Sequence, residues 1–161
     1  MKLFYAFLII LFGTCTEKSV IEIKNSKGIL IQRITLTGDT TKGKNGIYEK
    51  FSEEGLPIEI AHYKDGKLEG EKQIFEAGKL YSIEHHKNEL YEGEYKVFYP
   101  DGKVQLESQY VNNEMTGELK AYYPSGKLKE IVHMKSNQEE GPFVEYFENG
   151  NKKAEGNYKD G

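Results

Sequence analysis

Two interleaved series of glycines constrain this chain more than any other feature of it. Gly46, Gly70, Gly93, Gly117 and Gly141 step by 24, 23, 24 and 24 residues, while Gly55, Gly78, Gly102, Gly126 and Gly150 step by 23, 24, 24 and 24. Five residues after each glycine of the first series stands an aromatic residue: Phe51, Phe75, Phe98, Tyr122 and Tyr146. A looser bulky position follows eight residues after each glycine of the second series, at Tyr63, His86, Tyr110, Met134 and Tyr158. Five copies in one frame make a tandem repeat, and a unit of this length is a piece of supersecondary structure that stacks on its neighbours.

The local chemistry identifies that unit as a β-hairpin. Tyr99-Pro100-Asp101-Gly102, Tyr123-Pro124-Ser125-Gly126 and Phe147-Glu148-Asn149-Gly150 end on a glycine that accepts positive φ, and the first two carry a proline that fixes φ at the second position. That order predicts a type I turn with a glycine bulge. The return turns hold Asp65-Gly66, Asn88, Asn112-Asn113, Asn137 and Asp160-Gly161, residues that tolerate left-handed backbone. The glycines of both series are read here as turn glycines. Period-two alternation gives Tyr95, Val97 and Tyr99, then Leu119, Ala121 and Tyr123, then Phe143 and Phe147 as one apolar stripe. The second strand supplies Val104, Leu106 and Tyr110, then Leu128, Val132 and Met134.

The expected fold is therefore all-β, an elongated single-layer antiparallel sheet of tandem hairpins of about 24 residues each. A lone hairpin is marginal in water, so stability is expected to be shared between neighbours. Residues 46–161 make up the five repeats, and residues 20–45 read as a degenerate capping hairpin and loop.

The chain opens with Met1-Lys2, an apolar run from Leu3 to Phe12, then Gly13, Thr14 and Cys15, the only cysteine. This reads as a signal peptide over residues 1–14, followed by a short tether at 15–19. Ten apolar residues rise only about 15 Å as a helix, half of a bilayer core. Leu11-Phe12-Gly13-Thr14-Cys15 resembles the lipobox of bacterial lipoproteins. The resemblance implies lipidation of Cys15 and an exported protein anchored by lipid to a membrane of the cell envelope. Cleavage at another small residue, with Cys15 discarded, is the alternative.

The repeat is recognisable as well. Tyr91-Glu92-Gly93-Glu94-Tyr95, the run Tyr63 to Glu71, and Tyr122-Tyr123-Pro124-Ser125-Gly126-Lys127-Leu128-Lys129 resemble the bacterial variant of the MORN repeat. Exported proteins of this kind are similar to the YwqK-type family, often labelled as antitoxins. The resemblance implies a binding scaffold, with a toxin as one kind of protein partner. MORN arrays have also been linked to phospholipids and lipid kinases, but no kinase glycine loop or catalytic Asp signature is found in this chain.

Composition narrows the function further. Hydrophobic residues at 37%, together with 17 glycines, suit a globular chain rather than a disordered one. The near balance of 22 basic and 26 acidic residues disfavours nucleic acid as a partner. No phosphate loop, GxSxG, HExxH or CxxC occurs, so no cofactor and no catalytic residue is assigned. His62, His85 and His133 share one frame, seven residues after a second-series glycine, with Gln109 and Asn157 in the other copies. Equivalent positions lie two strands apart, roughly 9–10 Å. Zinc holds its nitrogen ligands at about 2.0–2.1 Å, so a polar ladder is expected instead of a metal site.

The glutamates Glu69, Glu71, Glu92, Glu94, Glu118 and Glu140, and Lys67, Lys103 and Lys127, read as solvated positions copied by the repeat. What remains is the aromatic stripe, whose Tyr95, Tyr99, Tyr123, Phe143 and Phe147 are the candidate binding face. The expected function is that of a non-catalytic scaffold binding a protein, with a glycan-binding or glycan-hydrolysing envelope protein as the alternative.

Overall fold

A computed structural model describes residues 6–9, 19–39 and 41–159. Cys15 and most of the apolar opening run lie outside the described residues. The described elements are strands: β1 (Ala6–Ile9), β2 (Ser19–Lys24), β3 (Leu30–Leu36), β4 (Gly46–Phe51), β5 (Pro57–Lys64), β6 (Lys67–Glu76), β7 (Lys79–Lys87), β8 (Leu90–Phe98), β9 (Val104–Val111), β10 (Glu114–Tyr122), β11 (Leu128–Lys135), β12 (Gln138–Tyr146) and β13 (Lys152–Tyr158). They fall into two compact units. One runs to Lys79 and takes in Lys87–Glu89; the other comprises Leu80–His86 and the chain from Leu90 onward.

In the first unit β1 to β6 pair antiparallel in chain order. In the second the body of β7 and then β8 to β13 follow one another in the same way. Each unit is thus all-β, an open antiparallel sheet of successive hairpins.

The turns alternate between two kinds. At the first, the Gly102 N–H donates to the Tyr99 carbonyl and the Tyr99 N–H to the Lys103 carbonyl, both at 2.8 Å, and the same pair of bonds recurs at Tyr123 and Phe147. At the second kind both central residues have positive φ, as in Asn112 (49°) and Asn113 (69°) or Ser136 (48°) and Asn137 (67°). That is a type I′ turn, whose twist matches that of the flanking strands. The connection from β6 to β7 differs: only Ala77 and Gly78 separate the strands, at φ 49° and 77°. Gly78 follows Phe75 by three residues where Gly102 follows Phe98 by four, which is why the 24-residue step falls to 23 beside it.

The first-series glycines are not turn residues, a correction to the reading from sequence. Gly70, Gly93, Gly117 and Gly141 lie inside β6, β8, β10 and β12, and Gly46 opens β4. Tyr63 pairs with Leu68 but Ala61 with Lys72, so three residues of β6, Glu69 to Glu71, lie opposite the single residue His62 of β5 at Gly70. The same shift occurs at Gly117 and Gly141. These are β-bulges, and the positive φ they require explains the glycine.

The core is thin. Among the described residues the buried apolar side chains are Ala61 and Val132, at 0% and 2% exposure. They share a frame with Glu84, Ser108 and Gly156, six residues after each second-series glycine. Opposite this small or polar position stands a larger residue: Tyr48 faces Ala61, Tyr95 faces Ser108, Leu119 faces Val132 and Phe143 faces Gly156. A large side chain closing over a small one is how a single layer removes apolar area from water.

Candidate functional site

The five aromatic residues singled out from sequence make different kinds of contact. Tyr99 and Tyr123 lie beyond the ends of β8 and β10, past the register shifts at Phe98 and Tyr122. The Tyr99 hydroxyl donates to the Tyr122 carbonyl at 2.7 Å, and Tyr123 donates to the Tyr146 carbonyl at 2.8 Å. Each therefore ties its repeat to the next. Phe143 packs on Tyr158 with ring centroids 4.7 Å apart and covers Gly156, where an added Cβ would lie 2.7 Å from the ring. Phe147 has no hydroxyl to donate and is 49% exposed.

Tyr95 belongs to a cluster that the sequence did not reveal. Its ring lies 6.3 Å from Tyr91 and 5.7 Å from Tyr110, Tyr91 and Tyr110 are 5.2 Å apart, and Tyr91 lies 4.5 Å from the His86 ring. Below them Glu84 Oε2 and His86 Nε2 are 3.0 Å apart, both residues buried. Burial first, and then the nearby Glu84 carboxylate, push the Tyr91 hydroxyl up to about 12. The same two causes raise Tyr95 and Tyr110. The alternating pattern could have located the cluster, because Glu84 and His86 stand in two apolar positions of the frame.

The histidine row holds the bulges. His62 Nδ1 lies 2.7 Å from the Glu71 carbonyl oxygen, His85 Nδ1 2.9 Å from that of Glu94, and His133 Nδ1 3.2 Å from that of Pro142. A carbonyl only accepts, so each ring carries its proton on Nδ1. Each histidine also lies against the bulge glycine of the next strand: a Cβ added at Gly70, Gly93 or Gly141 would meet His62, His85 or His133 at 3.4–3.6 Å.

The glutamates divide by role. Glu69 and Glu92 accept from the Asn88 and Asn112 backbone N–H at 2.8 and 2.9 Å and so cap return turns. Glu94 pairs with Lys96 at 2.6 Å, and Glu118 with Lys120 at 2.9 Å, the latter contact holding the Glu118 carboxyl below its ordinary range. Asn113 and Asn137 add a further link between turns, accepting at Oδ1 from the Tyr91 and Met115 N–H at 2.6 and 2.7 Å. A repeated Asn marked these turns, but its reach to a neighbouring turn depends on their stacking. Among the described residues no group of three or more His, Cys, Asp or Glu could hold a metal ion.

The MORN repeat variant matches residues 91–112, 115–136 and 139–160. Three stretches of this chain are thus similar to the MORN repeat variant. Each matched stretch spans one hairpin, from the strand carrying the first-series glycine into the following return turn. No curated protein matches the chain.

Proposed function

We propose that this MORN-repeat protein is an exported bacterial, YwqK-like scaffold that binds a protein partner at the cell envelope without catalysing a reaction, anchored through lipid on Cys15. Neutralisation of a toxin is the special case of this reading.

The observation that carries it is how the repeating polar groups are used. The hydroxyls of Tyr99 and Tyr123, the ring nitrogens of His85 and His133, and the carboxylate of Glu92 all bond backbone of an adjacent element. The repeat builds an array, and the array in turn presents residues that do not repeat. Leu90, at the start of β8, and Val111, at the end of β9, are 38% and 49% exposed beside the return turns. A cavity of about 400 Å³ there is lined by Val111, Asn112, Glu114, Thr116 and Ser136. Apolar side chains held on an ordered edge suit a polypeptide partner.

The test is affinity capture from an envelope extract with wild-type protein and with Leu90→Lys and Val111→Lys. The reading expects a polypeptide retained by wild type and lost from both variants while their thermal unfolding is unchanged. Retention by all three would contradict it. Fatty-acid labelling that is present in wild type and absent from Cys15→Ala checks the anchor.

A further inference from the structure

Three positions of the repeat frame recur together: the residue two before each first-series glycine, the residue two after it, and the bulky residue eight after the second-series glycine. In the copy that begins at Gly46 they are Lys44, Tyr48 and Tyr63. The two rings meet edge to face with centroids 5.1 Å apart, and the Lys44 ammonium lies over both, 5.0 and 4.7 Å from their centres. In the copy at Gly93 the three are Tyr91, Tyr95 and Tyr110, and the Tyr91 ring takes the place of the ammonium, 6.3 and 5.2 Å from the other two. The copy at Gly117 carries Met115, Leu119 and Met134 and so has no aromatic pair to cover.

The copy at Gly141 has the pair without the cover. Phe143 and Tyr158 lie 4.7 Å apart, but the third position is Glu139. The face of an aromatic ring is its negative side, so an ammonium gains there what a carboxylate does not. Burial raises the Tyr158 hydroxyl above its ordinary value, and of the charges near it Glu139 adds most, ahead of Glu130 and Glu145. Glu130 on β11 stands directly opposite Glu145 on β12, and Lys153 pairs with Glu145 at 2.6 Å. Three carboxylates against that one lysine leave the surroundings of the pair negative. Among the described residues the ammonium contacts to aromatic rings are those of Lys44.

We propose that Phe143 and Tyr158, with Glu139 beside them, form a subsite for a lysine side chain of the polypeptide partner, an inference that rests on the protein-binding reading above. The incoming ammonium takes the place over the two rings that Lys44 fills within its own copy, and Glu139 supplies the counter-charge. The copies at Gly46 and Gly93 do not offer the site because Lys44 and Tyr91 already occupy it.

The probe is acetyl-Gly-Lys-Gly amide, titrated into ¹⁵N-labelled protein, with the same peptide acetylated on its lysine as the uncharged counterpart. Saturable shifts are expected at Glu139, Phe143 and Tyr158 with the charged peptide, weakening with added salt, and binding at least about fivefold weaker with the acetylated one. Glu139→Lys, which installs the residue of the copy at Gly46, should abolish the shifts and leave the rest of the spectrum in place. Phe143→Leu, which installs the residue of the copy at Gly117, should weaken binding by about fivefold. Equal shifts with the acetylated peptide, no shifts at all, undiminished binding by Glu139→Lys, or shifts with phosphocholine but not with the peptide would each overturn the subsite. Its failure is distinguishable from failure of the scaffold reading, because capture that depends on Leu90 and Val111 uses other residues.

Discussion

The Tyr99 hydroxyl reaches the backbone carbonyl of Tyr122, 23 residues away, at 2.7 Å. The Tyr123–Tyr146 bond repeats it one copy later. A carbonyl at the end of one hairpin is therefore satisfied by a side chain from the hairpin before it. Tyr99→Phe and Tyr123→Phe should each lower unfolding free energy by about 0.5–1.5 kcal/mol, read from urea denaturation. The Tyr122 carbonyl belongs to the peptide bond with Tyr123, so the two bonds are neighbours and the double variant should depart from the sum of the single losses.

How much of this was legible in the sequence follows from range. The glycine phasing and the Pro-Asp-Gly and Pro-Ser-Gly turns act within a few residues, so the all-β hairpin architecture could be read directly. The bulge at Gly117 could not, because a strand glycine and a turn glycine differ only in what the partner strand does. Nor could the division of the aromatic residues: Tyr95 and Tyr99 share a parity, yet a register shift between Val97 and Phe98 sends Tyr99 to clasp the next repeat while Tyr95 packs on Tyr110. The Glu84–His86 pair did leave a signal, two polar residues where other copies carry Ala61 and Val132 or Tyr63 and Tyr110, but its contact with the Tyr91 ring depends on how β7 and β8 stack.

Ala77 occupies the left-handed region at φ 49°, where an L side chain other than Asn or Asp is strained. Ala77→Asn makes the Asn-Gly pair preferred for such a turn. A stabilisation of about 1 kcal/mol is expected in thermal or urea unfolding.

The first-series glycines should tolerate substitution unequally. At Gly46 an added Cβ would overlap the Thr35 carbonyl oxygen, whereas at Gly117 the space is open and only the φ of 76° opposes a side chain. Gly117→Ala should cost about 1–2 kcal/mol, and Gly46→Ala about 4 or more. Equal losses in the two variants would contradict this difference in close approach.

Alkaline titration should show Tyr91 and Tyr122 as the last tyrosines to ionise, both pushed to about 12 from an ordinary value of 10, chiefly by burial. The unfolded chain releases these protons first, so their contribution to stability is complete below pH 10 and is lost as pH rises from 10 to about 12. Glu107→Gln should bring Tyr122 ionisation down, because it removes the neighbouring negative charge that opposes a phenolate. Phenolate absorbance against pH measures both effects.

The most direct test is amide hydrogen exchange across the second unit in Val132→Ala. Val132 is 2% exposed on β11 and pairs with Leu119 on one side and Phe143 on the other. Its truncation should cost about 2 kcal/mol. If the hairpins stabilise one another as nearest neighbours, exchange will accelerate most in β10, β11 and β12 and progressively less toward β8. Acceleration confined to β11, or equal throughout the unit, would contradict the account.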